Sequence, residues 1–167
     1  MMKTFIKIIL FLLFSNCAFA YCDFELIKME RSLKEFSSKT KFIPTDENFS
    51  NDLVTFPLPV EEVCTDKDFI MFPVHFTFIN KKLHQIFIED MFNKVNHLKN
   101  LSYSYGEPTE SYEDDTTTGI KYYHWDLNFK HVFLVIKFSQ DQQTQNIEIV
   151  SNKFPTLLEK INEGYNE

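Results

Sequence analysis

Glycine and arginine are scarce in this sequence, and each shortage narrows the functions open to it. Only three glycines occur in the 167 residues, so the chain has no glycine-rich loop that could hold phosphates. Arg31 is the only arginine, and the formal net charge is −7 at neutral pH. Because nucleic-acid binding requires a basic surface that neutralises phosphates, these features argue against a nucleic-acid partner.

Cysteine is also scarce, with three in the whole chain. Cys17 falls in an N-terminal segment that we expect to be removed, which leaves Cys22 and Cys64. Two cysteines in an oxidising compartment predict one disulfide, although two unpaired thiols are the alternative. Such a bridge would contribute roughly 4 kcal/mol to stability in the chain-entropy account. The absence of a Cys-x-x-Cys spacing argues against a redox role.

That N-terminal segment has the features of a secretory signal peptide. Lys3 and Lys7 give it positive charge, residues 8–14 are all apolar, and residues 18–20 read Ala-Phe-Ala before Tyr21. The apolar run is much shorter than the roughly 20 residues of a membrane-spanning helix. We therefore expect a cleaved signal peptide over residues 1–20 and a periplasmic or secreted product that is not an integral membrane protein. An uncleaved anchor and lipidation at Cys17 are the alternatives.

Motifs that mark catalytic or metal sites are absent. No serine lies in a G-x-S-x-G pattern, and no H-E-x-x-H or paired Cys/His spacing occurs. For a turn at residues 80–82, His75 should face a residue near Phe87 rather than His84, and a similar count separates His124 from His131. We therefore predict no metal, no cofactor and no catalytic residue, and a hydrolase is the least favoured function. The five histidines of the chain are His75, His84, His97, His124 and His131.

The periodicity of apolar residues predicts a single α+β domain over residues 21–167. Residues 21–68 are expected to form a helix over 23–37 and an irregular proline-containing segment, stapled by the Cys22–Cys64 disulfide. Residues 69–167 show a strand pair, an amphipathic helix starting near Asp90, three further strands and a helix opening at Pro155. The expected fold is an antiparallel sheet of about five strands with helices packed on one face, in two layers.

An acidic, tyrosine-containing stretch over residues 107–119 is predicted to be a surface loop. Tyrosines anchor protein interfaces, and carboxylates steer a basic partner and fix its register. We therefore expect an exported, non-catalytic protein-binding domain, such as a periplasmic inhibitor or an immunity protein. An ordinary solvated loop is the alternative. The candidate partner-binding residues are Tyr105, Glu107, Glu110, Tyr112, Glu113, Asp114 and Asp115.

The 19 phenylalanines support a second hypothesis, a carrier of a small apolar ligand such as a lipid. It requires a cavity of several hundred Å³ between the sheet and a helix, in the usual size range of ligand sites. Core packing is the alternative explanation for these side chains. The phenylalanines concerned are Phe72, Phe76, Phe78, Phe87, Phe133 and Phe138.

Overall fold

The computed structural model describes residues 28–37, 53–59, 73–91, 93, 95–114, 119–139 and 142–164. The predicted signal peptide and both cysteines of the predicted disulfide lie outside these ranges. The described strands are β1 (Leu53–Pro59), β2 (Pro73–Ile79), β3 (Lys82–Asp90), β4 (Glu110–Glu113), β5 (Ile120–Leu127), β6 (Lys130–Ser139) and β7 (Gln142–Ser151). The described helices are α1 (Leu33–Ser37), α2 (His97–Tyr105) and α3 (Phe154–Gly164).

All seven described strands belong to one antiparallel sheet with the order β1-β2-β3-β7-β6-β5-β4. The prediction of about five strands is therefore wrong, and the two missed strands are the two edges of the sheet. β1 contains Pro57 and Pro59, which cannot donate ladder hydrogen bonds but are tolerated at an edge. β4 has four residues, and all of its side chains are exposed, so it shows no alternation of buried and exposed residues that would reveal a strand in the sequence.

The helices cover both faces of the sheet, so the prediction that they share one face is also wrong. Leu101 of α2 joins the main core, whose sheet residues include Phe76, Ile86 and Ile149. A second cluster joins Ile79 and Val150 to α3 through Phe154, with Leu157, Leu158 and Ile161 packed against it. Because neighbouring residues of a strand point to opposite faces, Ile149 and Val150 serve different helices. We call these surfaces the α2 face and the α3 face.

β2 and β3 form the hairpin that the sequence predicts. β2 ends at Ile79 and β3 begins at Lys82, and the two turn residues Asn80 and Lys81 both have positive φ, 49° and 62°. Two left-handed residues in succession make the turn that matches the twist of paired strands. His75 pairs with Phe87, as predicted, because an irregularity between Thr77 and Phe78 shifts the register by one residue from the one that the two-residue turn alone would set.

In the described residues, α1 and α2 both begin later in the sequence than predicted. In the described part of residues 23–37, only Leu33–Ser37 is helical, because the residues before it run beside β3. There the backbone N–H of Leu83 donates to the carbonyl of Arg31 at 2.9 Å. The helix expected from Asp90 begins only at His97, since Asp90 is the last residue of β3.

The phenylalanines of the predicted ligand pocket are divided between the two faces. Phe76 and Phe78 are buried in the main core, and Phe138 packs against that core. Phe133 packs against the α3 cluster, and Phe87 shares its face because both are opposite Glu148. Phe72 lies outside the described residues.

Candidate functional site

The acidic stretch that the sequence predicts as a loop contains the edge strand β4. It pairs with β5 through Glu110 opposite His124, Tyr112 opposite Tyr122 and Glu113 opposite Lys121. All four side chains of β4 are exposed. Because β4 ends the strand order, its outer side pairs with no other strand of the described structure.

The register shows which backbone groups face outward from β4. The N–H of Asp114 donates to the carbonyl of Ile120 at 3.2 Å, so Asp114 and, two residues earlier, Tyr112 direct their backbone groups toward β5. In an antiparallel ladder the intervening residues point the other way. Ser111 and Glu113 therefore present their backbone donors and acceptors along the outer edge, where an extended chain can pair with them.

Glu110 and Tyr112 border a row of rings on the α3 face, consisting of Tyr122, His124, His131 and Phe133. His124 lies at the centre of this ring row. Its ring stacks on Phe133 with centroids 4.6 Å apart, and its Nδ1 lies 3.5 Å from Glu110 Oε2. The pKa of Tyr122 is raised by burial and by the carboxylates of Glu110 and Glu148. The phenol of Tyr122 therefore stays protonated, and the carboxylates of Glu110 and Glu148 make the electrostatic potential at the ring row more negative.

The contact between His124 and His131 is a feature that the sequence reasoning missed. The turn count was right that they are not directly opposite, because His124 faces Phe133 and His131 faces Asp126. They are nevertheless diagonal neighbours on one face, and His124 Nε2 lies 3.1 Å from His131 Nδ1. Long side chains reach such diagonal positions. Within the described ranges, no group of three or more His, Cys, Asp or Glu side chains is arranged to hold a metal ion.

Glu113 makes two side-chain contacts with β5. Its Oε1 accepts a hydrogen bond from the hydroxyl of Tyr123 at 2.6 Å, and its Oε2 accepts one from Lys121 Nζ at 3.0 Å. These two donors lower the pKa of Glu113. The side chain thus ties β4 to β5, and the carboxylates more available to a partner are those of Glu107 and Glu110.

The remaining predicted partner-binding residues are dispersed. Tyr105 is the last residue of α2, and its half-buried ring packs against the main core on the α2 face. Glu107 is exposed between α2 and β4, and Asp114 is half-buried just after β4. Asp115 lies outside the described residues. The structure therefore places Glu110 and Tyr112 at one site with the ring row, and Tyr105 on the other face.

Two further histidines are internal. His97 Nε2 lies 2.9 Å from Asp90 Oδ2, and both side chains are fully buried. His84 Nδ1 lies 2.6 Å from the hydroxyl of Ser151, and both residues are buried. The first pair joins α2 to β3, and the second joins β3 to β7.

Comparison with protein-family models, curated proteins and solved structures finds no match to this chain. In the part of the chain that the structure describes, no helix has the length and apolar character needed to cross a membrane.

Proposed function

We propose that this chain is an exported, non-catalytic protein-binding domain and that β4 is its binding edge. The observation that carries the proposal is an edge strand whose four side chains are all exposed and whose outer backbone groups belong to Ser111 and Glu113. Tyr112, 61% exposed, stands on this strand. Exposed edges of this kind bind extended segments by adding a strand to the sheet.

The side chains around β4 favour a basic partner. Glu107 and Glu110 are exposed carboxylates, and Glu110 and Tyr112 lie beside the ring row. A partner segment with lysine or arginine would pair with these acids, while Tyr112 would bury its ring against apolar side chains. The net charge of −7 would attract such a partner from a distance.

An inhibitor or immunity protein is the form of this function that the sequence favours. A periplasmic protein of this kind has to be exported, and we propose residues 1–20 as its signal peptide. Its removal takes Lys3 and Lys7 but no acidic residue, so the mature domain would be more acidic than the full chain. The proposed Cys22–Cys64 disulfide would suit an extracytoplasmic location.

Affinity capture from the native cell envelope tests this proposal. The tagged protein should retain one stoichiometric partner with a basic surface, identified by mass spectrometry. Tyr112→Ala and Glu110→Lys should each weaken the affinity at least tenfold, because they remove an anchor and reverse a steering charge.

Glu159→Lys is the matched control, because Glu159 is exposed on α3 rather than at the binding edge. It should leave the affinity unchanged. Equal weakening by Glu110→Lys and Glu159→Lys would show a dependence on total charge rather than on position and would contradict a site at β4.

A further inference from the structure

A cleft of about 780 Å³ lies on the α2 side of the turn between β5 and β6. It is bounded by the C-terminal end of α2, by residues 127–130 and by residues 28–30. This volume falls within the range of about 300–1,000 Å³ that is usual for small-molecule sites. Its described lining contains none of the phenylalanines that the sequence predicts to line a ligand pocket.

The floor of the cleft is largely apolar and packs against the main core. Met29, Tyr105 and Leu127 line it, and all three are half-buried side chains that pack against the main core. Phe129, in the turn, lines the cleft as well and is 84% exposed. Together they form a surface on which an aliphatic chain would lose contact with water.

The rim of the cleft is positive although the protein as a whole is acidic. Lys28 and Lys130 both line it, and Lys130 Nζ lies 4.9 Å from the centroid of the Tyr105 ring. Glu30 is the acidic member of the described lining. It is bound at 2.8 Å by Lys153 Nζ, which lowers its pKa and offsets its charge. The cleft therefore combines an apolar floor with an excess of positive charge.

We propose that this cleft binds a single-chain aliphatic carboxylate, the chemical class of the fatty acids. The chain would lie on Met29 and Leu127, and the carboxylate would be held by Lys28 and Lys130, whose long stems extend over apolar surface. This site is separate from the β4 edge, because Leu127 and Tyr105 are on the α2 face whereas Tyr112 is on the α3 face. It does not depend on the proposed protein-binding function.

Isothermal titration calorimetry of the purified protein with laurate tests the proposal, with dodecanol as an uncharged probe of the same chain length. Laurate should bind at a single site. Lys28→Gln and Lys130→Gln should each weaken laurate about tenfold, the loss expected for one charge-assisted hydrogen bond, and leave dodecanol unchanged. Phe129→Ser should weaken both probes, because it removes an aromatic wall from the cleft.

Lys137→Gln is the matched control, since Lys137 is an exposed lysine near the other end of β6. It should leave both probes unaffected. Lys28 is exposed, and Lys28→Gln preserves the contact between Lys130 and Tyr105, so this variant should keep the fold, which circular dichroism verifies before titration. No laurate binding, or laurate affinity that is the same in the wild type and both cleft-lysine variants, would overturn the proposal. Neither result bears on partner capture at β4.

Discussion

His97 Nε2 lies 2.9 Å from Asp90 Oδ2, and neither side chain is exposed to solvent. This hydrogen bond joins the first residue of α2 to the last residue of β3. Asp90 also accepts the backbone N–H of Asn93 at 2.8 Å, so it organises the connection between the two elements. Burial lowers the pKa of His97, and the hydrogen bond to Asp90 opposes that shift only in part.

We predict that the folded protein loses stability as the pH falls below about 6.5. Burial also lowers the pKa of His84, so the unfolded chain binds more protons at His84 and His97 than the folded one does. Their contribution to stability is therefore complete above the unfolded pKa and is lost as the pH falls from there toward the folded values.

Urea unfolding at about pH 7.5 and about pH 5.5 measures this effect, because both conditions lie above the ordinary glutamate pKa. Glu30 and Glu113, whose pKa values are lowered, lose their contributions only at more acidic pH. His97→Gln should reduce the difference between the two conditions. Equal midpoints for the wild type at both would contradict the prediction.

Asp90→Ala should destabilise the fold by about 1–3 kcal/mol, because it leaves the buried His97 ring without the carboxylate that it now binds and also removes the acceptor of the Asn93 backbone N–H. The unfolding free energy from urea titration measures this loss. Glu159→Ala, on the exposed side of α3, should change stability by less than about 0.5 kcal/mol. A similar loss of unfolding free energy in both variants would show that the buried contact between Asp90 and His97 contributes no more to stability than an exposed side chain does.

Lys81→Gly should stabilise the protein by roughly 0.5–1 kcal/mol. Lys81 has φ of 62° in the turn between β2 and β3, a conformation that glycine adopts without steric cost and that suits glycine after asparagine. Lys82→Gly, one residue later in β3, should have the opposite sign because glycine weakens a strand. Thermal melts compare the two variants, and a lower Tm for Lys81→Gly would refute the turn interpretation.

Glu113→Ala should loosen β4 without unfolding the sheet. It removes the acceptor for Tyr123 and Lys121, while the rest of the β5 pairing remains. The amide of Asp114, which donates to Ile120, should then exchange with deuterium several-fold faster. Ser111→Ala, on the same strand, should leave that rate unaltered. An unchanged exchange rate of the Asp114 amide in Glu113→Ala would show that the Glu113 side chain does not hold β4 against β5.

The inner strands were predictable because buried strands carry a strong apolar signal. Phe76 and Phe78 in β2 and Val132 and Leu134 in β6 alternate with other residues at a period of two. The edge strands were not, since β4 has no buried side chain and β1 contains two prolines. A pattern that relies on burial misses a strand held mainly by its backbone.

The β4 edge could be predicted in part from the sequence, whereas the cleft could not. The acidic, tyrosine-containing stretch predicts Glu110 and Tyr112 as partner-binding residues. Their position on a sheet edge follows only from the pairing of β4 with β5. The contact of His124 with His131 depends on diagonal packing, which a count across the turn does not reveal. The cleft joins residues 28–30 to residues 127–130, which are too far apart in sequence for any local pattern to connect.

The most direct test of strand addition at β4 is affinity capture with Ser111→Pro. Proline removes the outward N–H of Ser111, but the inward bonds of Tyr112 and Asp114 remain, so the sheet itself should stay intact. Circular dichroism verifies the fold of the variant before capture. We predict that the wild type retains a stoichiometric partner and that Ser111→Pro retains little of it. Capture of the same partner in equal amount by both proteins would contradict binding at the β4 edge.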